Sequence, residues 1–194
     1  AEIPGHELSR VSPCSYIEEI RLRSGKAVAL TVNGEIYWII DAYTLSDKYP
    51  YSEPYMGNIN YIRNSVKVVV DAYNGDVNFY ICDEEDPIIA TCARIYPELF
   101  KPLSQMPESL KSHLQYPNAL FNIQAKVYER YHMTDVDVFY QNEDRWAIAN
   151  EIYGTEKTTI TPNYYIAKLP GEKKAEFFNS VPFTPKSKQN MTAL

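Results

Sequence analysis

The pattern of hydrophobic and polar positions is most distinctive in two parts of this chain, residues 28–41 and 66–83. Each part has Asn-Gly at its centre, and this pair between alternating apolar residues is the strongest short-range signal for a β-hairpin with a type I′ turn. The two parts superpose with a shift of 41 residues, Asn33 falling on Asn74. We therefore predict two antiparallel hairpins, related either by internal duplication or by coincidence.

The pattern also predicts the faces of these hairpins. A two-residue loop at Asn74-Gly75 gives the cross-strand pairs Ala72–Val77, Val70–Phe79 and Val68–Ile81. The opposite face is predicted to be wet and carries Asp71, Tyr73, Asp76, Asn78 and Tyr80. The first hairpin is apolar on both faces, so we expect it to lie deeper in the sheet.

The period of the apolar positions changes after the second hairpin. Asp86-Pro87 is a typical helix start, and further helices are predicted from Pro107 and from Pro117. The inward positions predicted for the third helix are Leu120, Ile123, Val127 and Tyr131. Strands are predicted at 136–140, 164–169 and 177–183. This order predicts an α+β fold, with a mostly antiparallel sheet built from the two hairpins plus C-terminal strands and about three helices on one face.

Length and composition predict one domain. A chain of 194 residues with 45% hydrophobic content can bury a full core, and we place a single α+β domain at 28–185. Residues 1–27 are interpreted as a fragment of preceding structure and residues 186–194 as a truncated tail. No apolar run approaches the ~20 residues of a membrane span, so this segment is expected to be soluble.

Charge and cysteine content exclude some classes of function. The net charge is −6, which argues against a nucleic-acid partner because phosphate contacts need a basic face. Cys14, Cys82 and Cys92 are odd in number and lack paired spacing, so neither a zinc site nor a disulfide framework is indicated. Cys82 and Cys92 are expected to be small buried hydrophobic residues.

Strong catalytic motifs are absent from the sequence, which has no Gly-rich phosphate loop, Gly-x-Ser-x-Gly or His-Glu-x-x-His string. The best polar group is Asp41, Arg63, Asn64 and Asp71, around the connection between the hairpins. An ion pair of Arg63 with Asp41 or Asp71 would either pin this connection to the sheet or form a site for an anion. We assign no catalytic residue, no metal ligand and no cofactor.

Other polar residues are interpreted as structural. Residues 83–86 lack the ligand spacing of a calcium loop, so they are predicted to cap the first helix. His113 and His132 have no serine or cysteine at a diagnostic spacing, and both are expected to serve the structure.

The connection between the hairpins is rich in tyrosine. The chain contains 17 tyrosines against 7 phenylalanines, and tyrosine offers a large contact area with a polar tip. A loop of ~20 residues in a compact domain is usually functional or packed as its own unit. The predicted contact residues are Tyr43, Tyr49, Tyr51, Tyr55, Tyr61 and Arg63. The alternative is that these tyrosines lie over the sheet and hold the loop down.

Several strings resemble uncharacterised protein family 0182. They are EIYWIIDAYT (35–44), YPYS (49–52), NYIRNSVKVVVDAY (60–73), Tyr131-His132, Phe139-Tyr140, PFTP (182–185) and Gln189-Asn190. That family comprises large bacterial membrane proteins with several membrane-spanning helices followed by a long soluble part. The resemblance implies a soluble, extracytoplasmic segment of a protein of the cell membrane, continuing past Leu194. It implies no activity.

A shorter string, VVVDAYNGDV (68–77), is similar to PepSY-type domains, which are secreted or membrane-tethered modules associated with restraining proteases. Two classes of function remain. The first is a recognition or assembly domain that contacts other regions of the same membrane protein or an envelope protein, and it predicts an exposed aromatic ledge. The second is a cell-envelope enzyme, possibly hydrolytic, with a polar site near Asp41, Arg63 and Asp71, and it predicts a concave pocket with a perturbed carboxylate.

Overall fold

The computed structural model describes residues 21–55, 57–186, 188 and 190–194, and it confirms the α+β class. The chain forms two compact units, one extending to Pro117 and the other comprising Asn118–Leu194. The predicted domain limits stay a prediction, and most of the predicted N-terminal fragment lies outside the described residues. The strands are β1 Arg21–Val32, β2 Glu35–Ser46, β3 Tyr61–Asp71, β4 Val77–Ile81, β5 Phe100–Pro102, β6 Trp146–Ile148, β7 Asn150–Tyr153, β8 Glu156–Thr159, β9 Asn163–Ala167, β10 Glu176–Ser180 and β11 Phe183–Pro185. The helices are α1 Pro87–Ile95, α2 Glu108–Lys111, α3 Asn118–Tyr131 and α4 Val136–Gln141, with a 3-10 turn at Leu103–Gln105.

The first unit is built on a five-stranded sheet in the order β1-β2-β3-β4-β5. Neighbouring strands are antiparallel except β5, which runs parallel to β4. The first predicted hairpin is confirmed, because Val32 pairs with Glu35 across Asn33-Gly34. Both turn residues have positive φ, 52° and 85°, as a type I′ turn requires.

The second hairpin differs in register from the prediction. Val70 pairs with Val77, so the predicted pairing of Ala72 with Val77 is wrong by two residues. The cause is Asp71, whose Oδ1 accepts hydrogen bonds from the backbone N–H groups of Tyr73 (2.7 Å) and Asn74 (3.2 Å). This side-chain turn closes a four-residue loop in place of the Asn-Gly turn. A shift of two residues leaves every side chain on its predicted face.

The sheet of the first unit is covered on both faces. Ile89 and Cys92 of α1 pack on one face against Ile40, Ala42, Val66 and Val68. Met106 and Leu110, from the turn after β5 and from α2, pack on the other face against Val32, Ile39, Val69 and Tyr80. Helices therefore lie on two faces rather than one. The prediction that Tyr80 faces water is wrong, because α2 and the turn before it cover its end of the sheet.

The second unit pairs its strands among themselves. Strand β6 pairs with β11, β7 with β8, and β9 with β10, each antiparallel. The predicted C-terminal strands at 164–169 and 177–183 are thus present, but they are not hydrogen-bonded to the five-stranded sheet. The core of this unit contains Ala125, Val181 and Phe183, with Phe121 and Trp146 against them.

Two predictions for the second unit are wrong. Residues 136–140 form helix α4 rather than a strand, because the Asp135 carboxylate caps the N–H groups of Asp137 (2.9 Å) and Val138 (3.1 Å). Helix α3 turns Ala125 and Glu129 inward, whereas the predicted inward residues Val127 and Tyr131 are exposed. The prediction counted only apolar residues, so it missed the inner face, which carries the buried carboxylate of Glu129.

Candidate functional site

The connection between β2 and β3, residues 47–60, presents exposed aromatic side chains, and we call it the Tyr loop. Tyr49 is 54% exposed and Tyr51 is fully exposed. Tyr51 also has a φ of +60°, a left-handed conformation that costs a residue with a Cβ about 1–2 kcal/mol. The protein thus holds a strained residue with its ring in solvent.

Asn60 fixes the shape of the Tyr loop. Its Oδ1 accepts a hydrogen bond from the N–H of Tyr49 (3.0 Å), and its Nδ2 donates to the carbonyl of the same residue (2.7 Å). The Ser52 hydroxyl donates to the Asn60 carbonyl (2.9 Å), and the Asn60 N–H donates to the carbonyl of Ser46 (3.0 Å). The side-chain amide of Asn60 therefore forms hydrogen bonds with both the N–H and the C=O of Tyr49, as the backbone of a neighbouring strand would.

Tyr61 connects the Tyr loop to the interior of the first unit. Its ring stacks on that of Tyr49, with centroids 5.4 Å apart and planes at 23°. Its hydroxyl donates to Oδ1 of Asp86 at 2.7 Å. Burial of the phenol, together with the hydrogen bond to Asp86, raises the pKa of Tyr61 to about 12. Tyr61 therefore remains a hydrogen-bond donor at any physiological pH.

Asp86 is fully buried and accepts four hydrogen bonds, and we call this arrangement the Asp86 hub. Oδ2 receives the hydroxyls of Thr44 (2.6 Å) and Ser65 (2.5 Å). Oδ1 receives the hydroxyl of Tyr61 and the N–H of Ile88 (3.0 Å). Burial raises the pKa of the Asp86 carboxyl, but the hydrogen bonds from Ser65, Thr44 and Tyr61 outweigh burial, so the pKa lies below its ordinary value.

A bulge in β3 supplies one of these donors. The register between β2 and β3 shifts at Tyr43, where Asn64 and Ser65 together oppose a single residue. The side-chain amide of Asn64 donates to the carbonyl of Ala42 (3.2 Å) and holds the bulge in place. Such an extra residue re-aims a side chain, and here the Ser65 hydroxyl reaches Asp86.

The predicted contact residues do not all lie on the surface. Tyr43 is buried in the sheet, so its prediction as a surface contact is wrong. Tyr55 is partly buried, and its N–H donates to the carbonyl of Ile59 (2.7 Å) within the loop. The exposed part of the predicted set is Tyr49 and Tyr51. A contact role for Tyr49 and Tyr51 stays a prediction.

The structure does not form the predicted ion pairs of Arg63 with Asp41 or Asp71. Arg63 Nε lies 3.0 Å from Oδ2 of Asp83, and Asp71 caps its own turn. Arg63 and Asp71 are eight residues apart on β3, about 26 Å at about 3.3 Å per residue. The polar site predicted near Asp41, Arg63 and Asp71 is therefore not assembled.

Asp41 has a different partner. It faces Lys67 across the β2–β3 pair, and Lys67 Nζ donates to Oδ1 of Asp41. Lys67 Nζ also lies 3.3 Å from the carbonyl of Gln115. The side chain of Lys67 is 7% exposed and that of Asp41 is 20% exposed. The two residues form a partly buried cross-strand ion pair, in which each charge is balanced by the other.

The histidines and cysteines serve the structure where they are described. His132 Nδ1 lies 2.9 Å from the carbonyl of Tyr128, and its ring stacks on Trp146 at 3.7 Å between centroids. Cys92 is buried as predicted. Burial raises the pKa of Cys82 to about 11, so its thiol is largely protonated at neutral pH. Cys14 lies outside the described residues.

The sequence predicted the role of one member of the Asp86 hub, namely Asp86 itself. The predicted helix cap at Asp86 is confirmed by the bond from Ile88. The convergence of Thr44, Ser65 and Tyr61 on the same carboxylate was missed. The sequence signal that could have indicated it is a hydroxyl residue next to the apolar run of each central strand, Thr44 in β2 and Ser65 in β3.

Among the described residues, no helix is long and apolar enough to cross a membrane. The same part of the chain contains no group of three or more His, Cys, Asp and Glu side chains placed to hold a metal ion.

Acid should weaken the first unit through Asp86. Its folded-state pKa lies below 3.8, so the unfolded state binds the proton more tightly, and the carboxylate stabilises the fold fully above pH 3.8. This contribution is lost as the pH falls through the folded-state value. We expect the urea midpoint to decline as the pH falls below 3.8, less steeply in an Asp86→Asn variant. Equal pH dependence in both proteins would contradict the role assigned to this carboxylate.

The fold and the Tyr loop define a class of protein, namely a strand-rich α+β segment with a structured aromatic loop. Asp41, Arg63 and Asp71 each engage a different group in it. The chain belongs to the family described as "Uncharacterised protein family (UPF0182)", whose sequence model matches residues 24–194. The resemblance predicted from the sequence is thus confirmed.

Relatives in other organisms support this assignment. The chain is 59% identical over 162 residues to a UPF0182 protein of Alkaliphilus metalliredigens, covering 83% of this chain and 17% of the relative. It is 55% identical over 160 residues to one of Pelotomaculum thermopropionicum, covering 82% and 18%, and 56% identical over 161 residues to one of Microcystis aeruginosa, covering 83% and 17%. The chain therefore spans less than a fifth of the length of these relatives. No solved structure matches it.

Proposed function

We propose that this chain is a recognition or assembly module of a longer protein of the cell membrane, and that the Tyr loop is its contact surface. The observation that carries the proposal is Tyr51, which is fully exposed in a left-handed conformation. A strained residue persists only when its surroundings over-determine it, and such residues cluster at functional sites. Here Asn60 and the Asp86 hub supply the constraint.

The chemistry of the loop suits a protein partner. Tyrosine rings give a large contact area at a low cost in conformational entropy. The stacking of Tyr49 on Tyr61 and the clamp of Asn60 on the loop backbone fix the surface before binding, which reduces the entropy lost on association. The partner is either another region of the same polypeptide or an envelope protein.

Membrane association and an extracytoplasmic position complete the proposal. Their support is the resemblance of the sequence to a family of large bacterial membrane proteins with a long soluble part. The small share of the relatives' length that this chain covers supports its being a segment of a longer protein. The enzymatic alternative lacks a comparable observation, because Asp41, Arg63 and Asp71 each engage a different group.

Cysteine labelling of a full-length family member that carries this segment tests both parts of the proposal. Tyr51→Cys reports on the Tyr loop, and Tyr73→Cys is the matched control because Tyr73 is an exposed tyrosine at a different turn of the same unit. In intact cells, a membrane-impermeant maleimide is expected to label the Tyr73→Cys variant and to label the Tyr51→Cys variant at least about tenfold more slowly. Both variants of the purified 194-residue chain should react at similar rates.

Each other outcome contradicts a different part. If neither variant is labelled until the cells are broken, the segment is cytoplasmic and the extracytoplasmic position is wrong. If both are labelled equally in intact cells, the Tyr loop is uncovered and is not a contact surface. The high pKa of Cys82 and the burial of Cys92 keep the background from these two cysteines low.

A further inference from the structure

The second unit contains an apolar groove of about 480 Å³ beside helix α3 and strand β10. Its lining includes Phe121, Ala125 and Tyr128 of α3, together with Phe178, Val181 and Phe183 from β10 onwards. None of the described side chains that line it is charged. The lining of the groove therefore suits an apolar, uncharged ligand.

The groove is also lined by neutral polar residues. Gln124 lies on α3, and Asn179 and Ser180 lie on β10. Amide and hydroxyl groups of this kind can pair with the N–H and C=O groups of a polypeptide backbone. An apolar lining with a few neutral hydrogen-bonding groups fits a peptide segment that inserts apolar side chains and pairs its backbone with those groups.

The strands beside the groove are also incompletely covered. In the β9–β10 ribbon, Ile166 pairs with Phe177, and the two side chains are 76% and 50% exposed. They lie on the face of the ribbon opposite to Phe178, which lines the groove. A two-stranded ribbon is marginally stable by itself and usually needs a further packing partner. Exposed apolar surface of this kind marks interaction sites.

We propose that an apolar segment of the same polypeptide, from outside the region matched by this chain, occupies the groove in the full-length protein. The chain spans only 17% and 18% of the length of the two relatives compared first, so more than four fifths of such a polypeptide is available to cover this surface. A tethered segment acts at a high effective concentration, on the order of mM for short linkers, and needs little intrinsic affinity. This inference concerns the second unit and is independent of the role proposed for the Tyr loop.

Photo-crosslinking of the full-length protein, purified in detergent, tests the occupant. Leu169 lines the groove and is partly exposed, so Leu169→p-benzoylphenylalanine places a reactive group there with little disturbance of the core. Ile152→p-benzoylphenylalanine is the control, because Ile152 is exposed on β7 and does not line the groove. We expect mass spectrometry to identify an intramolecular crosslink from position 169 to a peptide outside this segment, and none to that peptide from position 152.

Several results would overturn the proposal. A lipid or detergent adduct at position 169 would assign the groove to a lipid-like ligand, and a crosslink between two copies would assign it to self-association. The same products from both positions would show that the reaction is not specific to the groove. Absence of any adduct from position 169 would show that no segment lies there.

Discussion

Replacement of Asp86 by alanine should lower the free energy of unfolding of the first unit by at least about 3 kcal/mol. An N-cap contributes about 1 kcal/mol, and each hydrogen bond to a charged group contributes about 1.5–3 kcal/mol. The contacts that remain between Thr44 and Ser65 (3.2 Å) and between Thr44 and the carbonyl of Arg63 (3.4 Å) are to neutral groups. The variant removes the acceptor shared by Thr44, Ser65 and Tyr61. Thr44 and Ser65 are fully buried, so bulk water does not reach their hydroxyls in the folded protein.

Asp135→Ala is the matched control for this experiment. Asp135 caps α4 through two backbone N–H groups but is exposed, so its loss should cost only about 1 kcal/mol. The chain has two tryptophans, Trp38 in the first unit and Trp146 in the second. Urea unfolding followed by fluorescence in Trp146→Phe and Trp38→Phe backgrounds then reports each unit separately. If the two alanine variants lose similar stability, the hub contributes no more than an ordinary cap.

Replacement of Lys67 by methionine should destabilise the first unit by about 2–3 kcal/mol, somewhat less than a fully buried pair, for which loss of one partner costs about 3–5 kcal/mol. Lys67 is almost fully buried and Asp41 is mostly buried, so the single variant leaves a carboxylate in a poorly solvated position. Methionine keeps most of the length and the apolar stem of lysine. The loss therefore reports on the charge rather than on packing.

The double variant Lys67→Met/Asp41→Leu should recover most of that stability, because an apolar pair of similar volume often equals or exceeds a buried ion pair. Urea midpoints of the wild type, both single variants and the double variant give the coupling energy directly. A double variant as unstable as the sum of the single variants would show that the two charges do not stabilise each other, and that the contact of Lys67 with the carbonyl of Gln115 dominates.

The sequence predicted local elements better than it predicted their neighbours. Asn33-Gly34 forms the expected turn because both residues adopt positive φ without help from the rest of the chain. Asn74-Gly75 is the same dipeptide, yet the carboxylate of Asp71 binds the turn backbone and lengthens the loop. Three residues before a turn dipeptide, an aspartate competes with the turn that the dipeptide would form alone.

In a short segment, the sequence pattern does not distinguish a helix from a strand. Residues 136–140 alternate as a strand does, but five residues cannot separate the two periods. The side-chain cap of Asp135 at one end and the left-handed backbone conformation of Asn142 at the other favour a helix. Burial of Glu129, whose carboxylate contacts Lys126 Nζ (2.9 Å), likewise follows from tertiary structure that an apolar pattern does not encode.

The candidate site was predictable only as a region. The cluster of tyrosines located the Tyr loop, but the burial of Tyr43 and the exposure of Tyr51 depend on the register and bulge of β3. Pairing of charges was the least predictable feature. Several acidic residues are near Arg63 in the sequence, and the fold determines that Asp83 is its partner.

The Asp86 hub has a consequence for transplanting the Tyr loop into another protein. Tyr61 is the last link between the loop and the core, and its hydroxyl is oriented by a carboxylate that comes from the start of α1. A graft of residues 47–60 alone would lose that anchor and behave as a flexible peptide. A transferable unit must therefore include β2, the bulged β3 and the first turn of α1, so the smallest portable version of this surface is most of the first unit.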